Sequence, residues 1–189
     1  MDLIDIVFAV VVGTSIAAIF ANDSLRAWPS LQEIVTLSNM SLIVAYVAVV
    51  LSWVGYHHMI ELNPYTLNRW GYIRFGIDVV IVFVYTILIY SRENFSIFLS
   101  AFPVIFLLYA FGGIVRMKEY GKVSWPKGSL SYMGLFLLNW IIWSLWDSLV
   151  SICALLDLIP ISWILLFVTV SYLFYYRWQR EKRGFRKKQ

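Results

Sequence analysis

The stretch FSIFLSAFPVIFLLYAFGGIV, residues 95–115, runs from end to end without a charged side chain. An α-helix needs about 20 predominantly apolar residues to cross the hydrocarbon core of a bilayer, where lipid offers no partner to an unpaired backbone group. Working outward from it, five further windows meet the same test: residues 3–21, 41–60, 73–90, 131–156 and 159–176. Nearly everything else in the 189 residues is connector, and 61% of the chain is hydrophobic. With a mean hydropathy of +0.76, this composition excludes an ordinary soluble protein. The fold class expected is all-α: a polytopic integral membrane protein of six transmembrane helices, with a six-helix domain over residues 1–176 and a basic cytoplasmic tail over 177–189.

Orientation follows from the basic residues, because Lys and Arg are retained on the cytoplasmic side during insertion. Arg69 and Arg74 fall around the second loop, Arg116, Lys118, Lys122 and Lys127 around the fourth, and Arg177, Arg180, Lys182, Arg183, Arg186, Lys187 and Lys188 after the last window. The remaining loops hold only Arg26 and Arg92. That alternation predicts an even helix count with both ends cytoplasmic. The first window, preceded by Asp2 and without a basic leader, reads as a retained helix and not as a signal peptide. Interfacial aromatics agree with the map: Trp70, Tyr72, Tyr120, Trp125, Tyr175, Tyr176 and Trp178 at the inner boundary, and Trp28, Tyr90 and Trp163 at the outer.

Smaller signals flank the windows. Residues 22–36 carry Leu25, Trp28, Leu31 and Ile34 at three-residue spacing, which suits a short interfacial helix or a loop capping the bundle. Asn22, Asn39 and Asn94 each begin an Asn-x-Ser tripeptide near the expected outer face. The single cysteine, Cys153, allows no intrachain disulfide and leaves the redox compartment open. Pro103 falls near the middle of the fourth window, where it would free a carbonyl and permit a kink.

Because polar groups within a membrane are expensive, they mark the chemistry. In the fifth window Asn139, Trp143, Asp147 and Ser151 recur every four residues, with Ser144 and Ser148 beside them. Such a face either packs against other helices through hydrogen bonds or lines an aqueous path, as small residues around Thr14 in the first window also would. A carboxylate at the depth of Asp147 must be protonated, paired or wet. A second cluster gathers toward the cytoplasm: Asp5, His57, His58, Arg74 and Asp78, with Arg74 and Asp78 at the i, i+4 spacing that lets them pair. These residues are an inner polar layer or a gate, and His57 and His58 would make it pH-sensitive. The basic segment with Arg180, Lys182, Arg183, Arg186, Lys187 and Lys188 suits anionic lipid at the cytoplasmic face, at about 1 kcal/mol per basic residue near the surface, or a cytoplasmic protein partner. It carries no recognition motif for nucleic acid. There is no phosphate-cradling glycine loop, nucleophile elbow or metal-spaced cysteine pair, so neither enzyme activity, nor a cofactor, nor a metal is expected.

Asp5-Ile6-Val7-Phe8-Ala9-Val10 at the head of the first window, followed by Trp53 and the His57-His58 pair at the end of the second, resembles the six-helix unit of the lysosomal potassium channel family and its prokaryotic relatives. In that family the acid is preceded by Phe-Ser; here Leu3 and Ile4 stand in those places, and Trp53 lies four residues before His57 where three is usual. The resemblance implies subunits assembled so that each first helix lines a potassium-permeable pore closed by aliphatic side chains, with Val10 at the constriction and Asp5 matching the motif's acid. The expected function is therefore an oligomeric membrane ion channel, cation-permeable, lined by the first or the fifth helix. The alternative is a non-conducting anchor or sensor subunit that binds anionic lipid or a cytoplasmic partner through the fourth loop and the tail.

Overall fold

A computed structural model of the chain describes residues 8–10, 12–13, 36–121, 127–150 and 160–185, the last five by backbone alone. Every regular element among the described residues is helical. They are α1 (Leu37–Leu62), α2 (Arg69–Tyr90), α3 (Phe95–Tyr120), α4 (Lys127–Val150) and α5 (Ile161–Phe185), with residues 8–10 and 12–13 also in helical conformation. All five are long and apolar enough to cross a membrane, so the chain is a multi-pass helical membrane protein. Most of the first window lies outside the described residues.

Local chemistry sets the helix ends. Thr36, Asn68 and Asn94 hold extended backbone at the starts of α1, α2 and α3, and each side-chain oxygen accepts the N–H three residues on, at 3.2, 2.9 and 3.2 Å. These bonds satisfy donors that the first helical turn leaves open. Of the three Asn-x-Ser tripeptides, Asn94 is thus occupied as a cap, Asn39 lies inside the first turn of α1, and Asn22 lies outside the described residues. Gly121 closes α3 in the left-handed region at φ 64°, where a Cβ would be strained.

Two helices run further than their apolar windows. α3 continues to Tyr120, so Arg116 and Lys118 are helical and not loop residues, and α5 continues to Phe185, so Arg177 and Arg180 belong to the helix and not to a separate tail. Cations near a helix C-terminus are favoured by the exposed carbonyls there. Pro103 is buried inside α3, which stays helical across it.

α3 is the hub. It packs against α2 on one side and α4 on the other, while α5 closes against α1 and α4. Half of the apolar window of α3 is buried, the largest share among the five, against 11% of that of α4. A seam of rings joins α3, α4 and α5: Phe102 stacks on Phe136 at 5.2 Å, and Phe106 meets Phe136 at 4.8 Å and Tyr176 at 4.9 Å. With no hydrophobic force between helices in lipid, this close ring packing holds the bundle together by dispersion and quadrupole geometry.

Candidate functional site

At the end of the bundle where α1, α3 and α5 finish and α2 begins, the helices part around a cavity. It leaves about 80 Å3 for the centres of water-sized molecules, enough for several waters at roughly 10–15 Å3 each. Among the described residues, four arginines line it, Arg74 on α2, Arg116 on α3, and Arg177 and Arg180 on α5, together with the carboxylate of Asp78. Deeper in, Phe102, Ile105, Phe106, Leu173 and Phe8 make an apolar floor. Four tyrosines, Tyr56, Tyr85, Tyr109 and Tyr176, line the wall between the two.

Arg74 is the structural anchor of this mouth. It is 2% exposed, and its Nη1 donates to Glu119 Oε2 at 3.1 Å in an ion pair whose carboxylate side chain is fully buried. Its Nη2 donates to the carbonyl of Asn63 at 2.9 Å, and the guanidinium lies 4.7 Å over the Tyr65 ring. The other oxygen of Glu119 accepts from the N–H and hydroxyl of Thr66 at 2.8 and 2.9 Å. Glu119 therefore ties the α1–α2 loop to α3, and Tyr120 adds a bond from its hydroxyl to the Pro64 carbonyl.

The expected i, i+4 pairing of Arg74 with Asp78 is replaced. Arg74 turns to Glu119, forty-five positions away, whose carboxylate is held toward it by the N–H and hydroxyl of Thr66. Asp78 instead accepts from the Tyr65 hydroxyl at 2.6 Å. Burial first, and the neighbouring Asp78 carboxylate second, push the Tyr65 phenol well above its ordinary range. It stays protonated and donating throughout the physiological range.

The same loop explains Gly71. A Cβ there would stand 1.9 Å from the carbonyl oxygen of Thr66, a backbone atom that cannot rotate away. Gly71→Ala is expected to displace residues 63–68 and destabilise the protein by roughly 1–3 kcal/mol, as overpacking does. Reversible denaturation in detergent would measure it.

Deeper in the cavity the polar groups form a chain. The Tyr85 and Tyr109 hydroxyls lie 3.0 Å apart, and Tyr109 also shares a hydrogen bond with Ser52 on α1. Gly55 gives Arg177 its place beside α1, since a Cβ at that position would come 3.0 Å from its Nη1. Arg180 donates to the Tyr176 hydroxyl at 3.4 Å and lies 5.6 Å over the same ring.

The other residues singled out by sequence separate. Asn139 is 4% exposed and donates from Nδ2 to Thr169 Oγ1 at 3.4 Å, which makes it part of an interhelical seam between α4 and α5. Trp143 is half-buried edge-on against Phe95 at 4.9 Å. Asp147 is exposed, and the neighbouring Ser148 hydroxyl turns back to the Ser144 carbonyl at 2.8 Å. The polar face therefore does not remain inside the bundle: four-residue spacing drifts about 80° around the helix over eight residues, carrying Asp147 off the seam.

His57 packs edge-on to Trp53 at 4.7 Å and to Tyr56 at 5.7 Å, and His58 is half-buried. Val10 is exposed. Asp5, Thr14, Ser151, Arg186, Lys187 and Lys188 lie outside the described residues, as do the side chains of Lys182 and Arg183. Among the described residues, no three His, Cys, Asp or Glu side chains converge as a metal site would require.

Sequence reasoning placed Arg74, Asp78 and Arg180 among the site residues, and the cavity brings these three together. It missed Glu119, Tyr65, Tyr85 and Tyr109, and read Arg116 and Arg177 as parts of a basic loop and tail facing lipid or a cytoplasmic partner, not as lining a cavity. The available signal was Glu119 itself, one acid among Arg116, Lys118 and Lys122. No family model, curated protein or solved structure matches the chain.

Proposed function

We propose that this multi-pass protein is the subunit of an oligomeric, potassium-permeable cation channel. Each copy would contribute six membrane-crossing helices with both ends cytoplasmic, and the first helix of each copy would line the pore. The observation that carries this reading is the two-sidedness of the N-terminal segment. Phe8 is 5% exposed and meets the Tyr85 ring at 6.4 Å, and Val12 packs on the same core. Ala9, Val10 and Gly13, on the other side of the turn, are exposed, Val10 by 54%. Copies arranged about a symmetry axis would cover that side with one another and bring their Val10 side chains together. This is the position that the resemblance to the lysosomal potassium channel family assigns to the constriction.

Ion flux through purified protein in liposomes tests it under potassium, sodium and chloride gradients. Val10→Ala is expected to raise potassium flux by about tenfold, the effect of roughly 1.4 kcal/mol on a barrier, with Asp147→Ala leaving it unchanged. The reverse pattern would move the pore to α4. Silence from well-incorporated wild-type protein would sink the channel reading.

A specific observation favours a second reading, the non-conducting sensor: Arg177 and Arg180 fold back onto the cavity instead of extending into water. In that case the basic residues that follow would hold anionic lipid or a cytoplasmic partner, and no current would exist to change.

A further inference from the structure

Three hydroxyls meet deep in the cavity, and their hydrogens outnumber their bonds. Tyr109 on α3 joins Ser52 on α1 and, at 3.0 Å, Tyr85 on α2. Each hydroxyl carries one hydrogen and two acceptor lone pairs. Two bonds use two of the three hydrogens, and among the described residues no further acceptor meets the third. All three side chains line the cavity, and Tyr85 is only 3% exposed, so the partner of that hydrogen has to stand in the cavity itself. A buried donor left without an acceptor is the costly case.

A second station of the same kind lies nearer the mouth. The Nε of Arg116 is buried with no hydrogen-bond partner among the described residues, and its Nη1 reaches only the thioether of Met59 at 3.7 Å. Sulfur is a weak acceptor. Asp78, also in the lining, accepts from Tyr65 at one oxygen and keeps lone pairs for further donors. The wall therefore asks for a species that both accepts and donates. Hydrogen-bond count, not charge, sets that demand.

Depth and size then select the species. The bond between Arg74 and Glu119 fixes one level across α2 and α3. Tyr85 stands eleven residues beyond Arg74, and Tyr109 ten before Glu119. At about 1.5 Å of rise per residue, both counts put the hydroxyls roughly 15 Å from that level. This is half of a hydrocarbon core about 30 Å thick. A file of waters spaced at about 2.8 Å would need roughly five molecules to cover the distance. The cavity's 80 Å3 takes at least that many, at about 15 Å3 each. A cavity that lodges a benzene ring measures about 150 Å3, so the space suits water better than an apolar ligand.

We propose that this cavity is an aqueous half-path: a file of waters that enters between Arg74, Arg116 and Arg180 and ends at the Ser52–Tyr109–Tyr85 hydroxyls, in the middle of the bilayer. Phe102, Ile105 and Phe106 close it beyond that point. The waters accept from the third hydroxyl hydrogen and from Arg116, and donate to Asp78. The path runs inside one chain, so it is separate from an axial pore between copies and stands whether or not the protein conducts. Its effect is to carry the aqueous phase halfway across the membrane from the arginine-lined end alone.

Radiolytic hydroxyl-radical labelling of the full chain in phosphatidylcholine nanodiscs, read residue by residue by mass spectrometry, tests it. Radicals generated from bound water mark the side chains that the water touches. Tyr85 and Tyr109 are expected to label several-fold more than Tyr132, which is 6% exposed and does not line the cavity. Phe83, 64% exposed on a membrane-spanning helix, faces lipid and should label as little as Tyr132. Ser52→Val puts a methyl group where the file ends and should lower labelling of Tyr85 and Tyr109 several-fold, with Met59 at the mouth still labelled. Should that variant fail to insert, the wild-type comparison decides alone. Labelling of Tyr85 and Tyr109 no greater than that of Tyr132 means a dry cavity and overturns the proposal. Equal labelling of Phe83 overturns it too, since radicals would then arrive through lipid, and an unchanged pattern in Ser52→Val would remove the hydroxyls from the path with the same result.

Discussion

Replacing Glu119 with alanine is expected to cost about 3–5 kcal/mol of stability, the range found when one partner of a buried ion pair is removed. Arg74 would remain 2% exposed with its carboxylate gone, and the N–H and hydroxyl of Thr66 would lose their acceptor together. The loss comes from stranded donors more than from missing attraction, since desolvating an unpaired cation is the costly event. A control separates the two. Glu119→Leu combined with Arg74→Met removes the buried charge altogether and should recover much of the loss, leaving the unpaired Thr66 and Asn63 backbone groups as the remainder. Reversible denaturation of the purified protein, comparing both variants with wild type, gives the numbers. A cost for Glu119→Ala below about 1 kcal/mol, the range of exposed pairs, would show that water reaches the pair.

The second large effect is expected at Phe106. Its ring meets Tyr109 at 5.7 Å, Tyr132 at 5.9 Å, Phe136 at 4.8 Å and Tyr176 at 4.9 Å, so one side chain joins α3 to α4 and α5. It also lines the floor of the basic cavity. Phe→Ala in a packed core costs about 3–5 kcal/mol. The lower end, about 3 kcal/mol, is expected here because lipid replaces water in the reference state and the remaining loss is one of packing. The variant should also open the cavity downward. Phe106→Leu, which restores most of the volume but none of the ring geometry, should recover roughly half of the loss, and a full recovery would show that aromatic orientation contributes nothing.

The two predictions touch different kinds of information. Five apolar windows correspond to α1 through α5 because hydropathy over about 20 residues is a local property that the bilayer itself selects. The caps at Asn68 and Asn94 are equally local, each a side chain reaching three residues along its own chain. Of the inner polar cluster, His57 and His58 are not among the cavity's lining residues and Asp5 lies outside the described residues, whereas Arg74 and Asp78 were legible, since charges at one end of a window had to find partners. Their partners were not legible. Spacing nominated Asp78 for Arg74, but Glu119 prevailed through the loop hydrogen bonds that only the folded α1–α2 connection supplies. Likewise Asn139 and Asp147 share a four-residue spacing, yet one is 4% exposed in a seam and the other is exposed, because the neighbour α5 covers one side of α4 alone.

By itself, then, the sequence determined a multi-pass helical membrane protein, most of its span boundaries to within a few residues, and a gathering of charge at one end of the spans. Lipid enforces these along the chain, helix by helix, by penalising each unpaired backbone group and each charge where it stands. Only the tertiary structure decided that Arg116, Arg177 and Arg180 line one cavity, that Glu119 neutralises Arg74, and that Phe8 is buried while Val10 is exposed. Which helices become neighbours depends on many small packing terms summed over whole surfaces, and no window of the chain contains that sum.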